Sequence, residues 1–481
     1  MNWIRRRWNR LTAAEQRYVL ILAALALAVR LVYAFSVDLI PADYMGIDLD
    51  AVEYDYLGVN VAEGKGLVDR FGFPTSFRFP AYPFLLGFIY FLFGHSHMAV
   101  LVIQAFMGVA TPLLIYFTAR HLLPETTSRI AGAVGAIYPG FVYFVGWLMT
   151  ENLFLLLISL LLYYTVSLGR VASWRKLVFL GVLLGLLGLT RGVGLPFLGL
   201  IPAYIFLRHR GDFRTRLVRS GAVMAVGCLT LLPWTVRNYL QFDRLMLPSA
   251  EGGVVLWLGF NDVPLIHYQT DAAFEYVERV GREHARSEEF YRLLADHNLF
   301  GITAMKELFR LYYPDEPPPQ SEVEASDRLG AKAQVLLFQS PMAWVYKSIK
   351  QVFRFWHVLD ERGRYVYGYG FIIPFFFAGA WLQRRRVMDF MPLYLYPAVL
   401  YAVAIVFFAD ARFRLPFEGV LIIVGAWGIE RFLARFKPVY WGYGILAVFF
   451  LANYYLRLHS PQVRLAIRSV AGALGFQMAE I

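Results

Sequence analysis

The sequence predicts an all-α protein that crosses a membrane many times, and three observations lead there. Of its 481 residues, 58% are hydrophobic and only 17% are charged, against about 45–50% and roughly 25% in soluble domains. The mean hydropathy is +0.50. The apolar residues also come in repeated runs of about 20, the length a helix needs to cross a hydrocarbon core. Lipid offers no partner to a free backbone N–H or C=O, so runs of that length are helices. The same apolar excess excludes disorder.

Taken in order, the chain opens on a basic stretch with Arg5, Arg6, Arg7 and Arg10. The apolar run 18–37 that follows is too long for a signal-peptide core, and no convincing small-residue cleavage site comes after it. It is expected to be a retained first span with a cytoplasmic N-terminus. Segment 38–96 forms a large first outer loop, with 82–93 lying on the outer surface. Spans follow at 97–119, 130–149, 152–169, 174–190, 192–207 and 218–236. Segment 237–364 is a second large outer region whose middle, 271–328, is charged and helix-forming, with a proline break at 314–319. Within it, 341–357 (PMAWVYKSIKQVFRFWH) is apolar, yet Lys347, Lys350 and Arg354 recur at helical spacing. That pattern describes an amphipathic helix lying in the interface. Spans at 365–383, 388–408, 415–433 and 438–456 bring the total to about eleven, and the tail 457–481 is weakly amphipathic and outer.

The chain thus divides into an N-terminal transmembrane module (1–236) that carries the first outer loop, an extracytoplasmic segment (237–364), C-terminal transmembrane helices (365–456) and a tail (457–481). No solenoid-type repeat is visible.

Charge supports this threading. Lys and Arg total 46 against 35 Asp and Glu, a net charge of +11. In a soluble protein this would suggest nucleic acid. Here the basic clusters, among them Arg208–Arg219 and Arg384–Arg386, all fall in the loops on the N-terminal side, as the positive-inside rule requires. No nucleic-acid partner is needed. The single cysteine, Cys228, excludes an intramolecular disulfide.

The residues left on the outer side carry the functional reading. They are Asp48, Asp50, Glu53 and Asp55 in the first loop, Arg78 further along it, Glu151 between spans three and four, Arg191 between spans five and six, Arg237 and Asn238 after span seven, and Asp410, Arg412 and Arg414 between spans nine and ten. Singly, each has an ordinary explanation. Asp50 is a solvated loop acid, Glu151 caps a helix N-terminus, Arg191 and Arg237 snorkel, and Asp410 with Arg412 is an exposed ion pair of little worth. His95 and His97 have no evident third ligand, so no metal site is assigned. Together, however, acids and arginines from distant parts of the chain share one membrane face. A carboxylate can take a proton from a hydroxyl nucleophile, and arginines can neutralise a departing phosphate. Those parts describe transfer of a sugar from a lipid-phosphate carrier, since nucleotide sugars are not expected in the outer compartment.

At these positions the sequence resembles the polytopic C-type (GT-C) glycosyltransferases, specifically the bacterial relatives of protein O-mannosyltransferases and of the lipid A aminoarabinose transferase. Asp50-Ala-Val-Glu-Tyr54 and Asn60-Val-Ala-Glu-Gly64-Lys-Gly66 are similar to that family's first-loop pattern D-x-x-E-Y … N-L-A-x-G-x-G. Arg78-Phe-Pro-Ala-Tyr-Pro83, Thr150-Glu151-Asn-Leu-Phe154, Thr190-Arg191, Pro233-Trp234-Thr-Val-Arg237-Asn238-Tyr239 and Asp410-Ala-Arg412-Phe-Arg414-Leu-Pro416 resemble its later motifs, in the same order. Phe79, Ala81 and Asp410 depart from the usual Pro, Gly and Glu.

The resemblance implies a GT-C fold and an inverting glycosyltransferase. Asp50 would be the general base toward the acceptor and Glu151 a second acid. Arg78, Arg191, Arg237 and Arg412 would hold the donor phosphate, with Glu53, Tyr54, Tyr82, Asn238 and Asp410 lining the site. The donor would be a polyprenyl-phosphate sugar, and the acceptor a hydroxyl or phosphate on a glycan, lipid or protein. The place would be the extracytoplasmic side of a bacterial cytoplasmic membrane. Some relatives use a divalent metal and others none, so a metal is compatible with the reading but not required by it. A secondary transporter or flippase is the rival, but transporters keep their polar residues near the bilayer midplane in repeated halves, a pattern this chain lacks.

Overall fold

The computed structural model of the chain describes residues 8–9, 11–37, 49–69, 72–169, 172–260, 315–339, 366–407, 411–459 and 462, with scattered positions in 305–313 and 341–358. Among these, the secondary structure is helical throughout, apart from an isolated antiparallel bridge between Val68 and Pro74. In chain order the helices are α1 (Ala13–Ser36), α2 (Leu49–Ala62), α3 (Ala81–Phe93), α4 (His97–Arg120), α5 (Glu125–Ile137), α6 (Pro139–Tyr143), α7 (Thr150–Val166), α8 (Trp174–Thr190), α9 (Phe197–Arg208), α10 (Phe213–Phe242), α11 (Gly252–Phe260), α12 (Glu322–Gln339), α13 (Tyr367–Gln383), α14 (Val387–Val406), α15 (Leu415–Leu433) and α16 (Tyr440–Leu458).

The apolar spans expected from hydropathy all correspond to helices. By length and composition, three helices are long and apolar enough to cross a membrane: α1, α4 and α10. A fourth span is added if α5 and the stretch Pro139–Gly146, bent by 43° at Pro139, count as one. The exact number of crossings therefore rests on the shorter apolar helices. The break within the expected span 130–149 has a plain cause, because Pro139 has no N–H to give and clashes with the turn before it. Arg30 of α1 tends the break: fully buried, it donates Nη1 to the Ala136 carbonyl in the last turn of α5 at 2.9 Å. Helix α10 outruns its expected bounds because Asp212 caps it, its carboxylate accepting from Thr215 N at 3.1 Å. The polar first turn was invisible to a hydropathy window.

Helices α4, α5, α7 to α10 and α13 to α15 share one apolar core that includes Phe154, Leu184, Phe197, Tyr369 and Ile422. Large apolar side chains point outward elsewhere: Ile21, Val32, Phe91, Leu240 and Val448 are all exposed, as lipid-facing surfaces are. Helices α2 and α3 pack against each other beside this core. Gly87 lets them touch, since a Cβ there would lie 2.3 Å from Val61 Cγ1. In α3 the buried face is Tyr82, Leu86, Ile89 and Tyr90, and Phe84, Phe88 and Phe91 are left exposed. Helices α11 and α12 pack around Trp257 and Leu329. In the expected interfacial segment, the described positions include Trp356, which stacks on Phe377 at 6.0 Å. The tail beyond 462, and the charged stretch 261–300, lie outside the described residues.

Candidate active site

The first turn of α2 carries Asp50, and Glu53 and Tyr54 follow at i+3 and i+4, so all three share one helix face. The connection between α2 and α3 presents Arg78 to that face just before α3 begins. Arg78 Nη2 lies 2.5 Å from Asp50 Oδ1 and its Nε donates to Glu53 Oε2 at 2.7 Å. Its guanidinium also rides over the Tyr54 ring, 5.3 Å from the centroid. From the far end of the chain, the turn Ala411–Arg414 supplies Arg412, whose Nη2 donates to Asp50 Oδ2 at 2.9 Å. One carboxylate is therefore held by two guanidiniums from separate regions.

A second ion pair borders the first. Glu151, in the first turn of α7, accepts from Arg191 Nη1 at 2.6 Å, and the same nitrogen reaches Thr150 Oγ1 at 3.0 Å. Arg191 caps the C-terminal end of α8 and lies over the Phe413 ring, 5.3 Å from its centroid, next to Arg412. The turn bearing Arg412 is anchored by its neighbour. Arg414 is fully buried, donates Nε to Glu418 Oε1 at 3.1 Å and sits 3.6 Å over the Tyr369 ring.

Burial acts against charge on every carboxylate here, and the arginines decide the outcome. Desolvation would raise the Asp50 carboxyl, but Arg78 and Arg412 outweigh it and hold the group well below the usual carboxylate range. Glu53 has only Arg78, and desolvation wins, pushing it up. Glu251, just before α11, behaves the same way: Arg78 Nη1 is 3.8 Å from its Oε1, and burial keeps its pKa raised. Sequence reasoning missed Glu251, although it directly precedes Gly252-Gly253. The signal available was an acid at the head of an apolar helix.

The other expected residues fall as follows. Tyr82 is fully buried behind the site, packing edge-on to Tyr54 at 5.3 Å and donating to Gln104 Oε1 at 2.9 Å. Arg237 stands apart from the Asp50 cluster. Its Nη1 and Nη2 donate to the Thr75 and Leu67 carbonyls, each at 2.9 Å. Asn238 donates Nδ2 to the Pro248 carbonyl at 2.9 Å. The two staple segment 247–251, which carries Glu251, along the turn that leads to Arg78. Asp410 lies outside the described residues. On the far side of α2, Asp55 meets His95 and His97, with Nε2 to Oδ1 distances of 3.0 and 3.1 Å. Sequence spacing gave no third ligand for the two histidines. Among the described residues, this is the group able to hold a metal.

Residues 77–235, from just before Arg78 to a point inside α10, match the family model for dolichyl-phosphate-mannose-protein mannosyltransferase. No curated protein matches the chain by sequence. Among solved structures, the chain resembles the Archaeoglobus fulgidus oligosaccharyltransferase AglB in complex with an inhibitory peptide and a dolichol-phosphate. The identity is 15%, the TM-score 0.54, and the match covers 93% of this chain and 55% of that one. The A. fulgidus oligosaccharyltransferase in complex with Zn and sulfate gives 17% identity and a TM-score of 0.51, covering 93% and 52%. The chain thus spans about half the length of these structures. The family match covers a third of the chain and the likeness in fold extends over nearly all of it, and by both the chain is similar to the GT-C glycosyltransferases.

Proposed function

We propose that the protein is an inverting glycosyltransferase that moves a hexose or pentose from a polyprenyl-phosphate donor to an acceptor hydroxyl or phosphate, at the outer face of a bacterial cytoplasmic membrane. The observation that carries the reading is Asp50 clamped between Arg78 and Arg412. In the resting site the clamp makes Asp50 a weak base, because Brønsted behaviour favours a base whose pKa lies near working pH. A donor phosphodiester competes with Asp50 for both guanidiniums, and its charge grows toward that of a phosphate monoester as the sugar departs. As they turn to it, Asp50 is released, its proton affinity rises, and it faces the acceptor. The acceptor oxygen then attacks the anomeric carbon as the bond from that carbon to the phosphate oxygen breaks. The acceptor proton passes to Asp50, and the polyprenyl phosphate leaves on Arg78 and Arg412.

Arg191, paired with Glu151 beside Phe413, forms the second wall of the phosphate pocket, and Glu151 orients the acceptor or tunes Arg191. Arg237 shapes the wall through the backbone and does not reach the Asp50 pair. The dolichol-phosphate in the A. fulgidus complex is the kind of donor carrier that such a pocket would take. The identity of sugar and acceptor would follow from segments around α11 and α12.

The test uses purified protein in proteoliposomes with a panel of polyprenyl-phosphate sugars. Arg412→Ala is expected to cost about 10²–10³-fold in transfer, the usual loss when a donor to a developing anion is removed, and to weaken binding of undecaprenyl phosphate. Unaltered transfer and binding in this variant would remove the phosphate assignment.

A further inference from the structure

We infer that Asp55, His95 and His97 form a divalent transition-metal site, with zinc as the ion it fits best, separate from the Asp50–Arg78 pair and independent of the transfer reaction proposed above. The placement follows from helix geometry. Asp55 is five residues after Asp50, and at 100° per residue its side chain leaves α2 on a different face. That face meets the connection between α3 and α4. Asp55 Oδ1 lies 3.0 Å from His95 Nε2 and 3.1 Å from His97 Nε2, and one ligand atom of each residue falls within 4.8 Å of the others. Ligands bound at the usual 2.0–2.2 Å from a tetrahedral zinc stand about 3.3 Å apart, so the three atoms form one face of a coordination shell with little adjustment.

Other features agree. The imidazoles are nearly perpendicular, with ring centroids 4.9 Å apart and planes at 87°, so the two nitrogens converge without the rings stacking. Two imidazoles and a carboxylate are borderline nitrogen and hard oxygen donors, a set suited to zinc and its first-row neighbours rather than to calcium or magnesium. The Asp55 side chain is only 11% exposed, whereas His95 is 52% exposed. The cluster is therefore anchored inside and open outside, leaving an entry path and a place for water as a further ligand. The Tyr90 hydroxyl donates to Asp55 Oδ1, the kind of outer partner that orients a ligating carboxylate. A simple ion pair needs one histidine on this aspartate, and here two converge on one oxygen. An ion at this place would tie α2, which bears Asp50 in its first turn, to the connection between α3 and α4. Its role would be structural.

The test is metal analysis of the full-length protein in detergent or nanodiscs, after exposure to zinc and removal of the excess. We expect about one zinc per chain in the wild type and loss of it in His95→Ala/His97→Ala. Zinc should raise the melting temperature of the wild type only, and cobalt(II) should give the visible absorption of a low-coordinate nitrogen–oxygen site in the wild type only. Tyr90→Phe, which keeps all three ligands, should weaken zinc binding about 10–100-fold, as loss of an outer-shell partner does. If the double variant does not fold, His97→Gln and Tyr90→Phe carry the same comparison. Asp50→Asn should keep its zinc while losing transfer, which separates this site from the proposed reaction. Absence of bound zinc in the wild type, or equal zinc in wild type and folded ligand variants, would show that the cluster is only an ion pair and overturn the proposal.

Discussion

Asp50 illustrates how a residue can be both the best candidate base and, in the unliganded site, a poor one. Both its oxygens are engaged by guanidinium groups, and these hold its pKa below the ordinary value of 3.8. A depressed carboxylate contributes stability that is present above its unfolded pKa and is lost as pH falls through the folded one. Asp50→Asn removes that contribution and the proton acceptor together. It is expected to lower kcat by about 10²–10⁴-fold, the usual range for a positioned base, with helical content unchanged by circular dichroism; a variant that keeps its kcat would rule Asp50 out as the base. Glu251 poses a different question, because burial raises its pKa while Arg78 stays within 3.8 Å. Glu251→Gln keeps the shape and removes the ionisable group, so a changed KM for the acceptor would tie that group to acceptor binding. Asp50, Arg78, Glu151, Arg191 and Arg412 were legible in the sequence because each sits in a motif at the edge of an apolar run. Glu251 was not, and neither was the meeting of Asp55 with the histidines. What singles them out is the neighbour the fold brings from 173 and 40 residues away, Arg78 for one and His95 for the other, and no spacing along the chain encodes that.

At the scale of elements, the active-site end is built from a helix pair that depends on one small residue. Replacing Gly87 by Val would drive a side chain into Val61, 2.3 Å from where its Cβ would lie. Overpacking of this kind usually costs 1–3 kcal/mol, and here it would separate Asp50 on α2 from Arg78 ahead of α3. We expect a lower melting temperature with a larger relative loss of transfer. Helix α12 docks on the same end through Glu322, whose Oε2 accepts from Thr75 Oγ1 at 2.7 Å. Burial raises its pKa from the ordinary 4.5 to about 7. The sign is that of a group held neutral: its favourable contribution is complete below about 4.5 and fades as pH rises through about 7. Hydrogen exchange in α12 should therefore slow between pH 7.5 and 5 in the wild type, relative to the intrinsic rate, and Glu322→Gln should flatten the difference. Element bounds were readable where composition changes sharply, as at 174–190, which α8 reproduces. They were not readable where a proline divides an apolar run, as at Pro139, or where a capped polar turn extends a helix, as in α10.

For the whole molecule, the family match begins at residue 77 and ends at 235, yet the clamp on Asp50 needs residues 50 and 412 as well. What unites them is the fold, which the A. fulgidus structures share over 93% of the chain. The sequence led to this assembly because each motif falls at the same end of its span, and helices that alternate in direction must bring those ends together. The side of the membrane that this end faces rests on the distribution of arginines alone, and it decides whether a lipid-phosphate donor is needed at all. Cys228 is the single cysteine, so one substitution, Cys228→Ser, clears the background for a topology test. Lys65 lies on the active-site end beyond α2, and its side chain is 59% exposed. Arg210 is exposed in the turn between α9 and α10, at the opposite end. In intact spheroplasts, a membrane-impermeant maleimide should label Lys65→Cys at once and Arg210→Cys only after lysis. The reverse order would turn Asp50 toward the cytosol, where nucleotide sugars are available, and the case for a polyprenyl-phosphate donor would lose its main physical support.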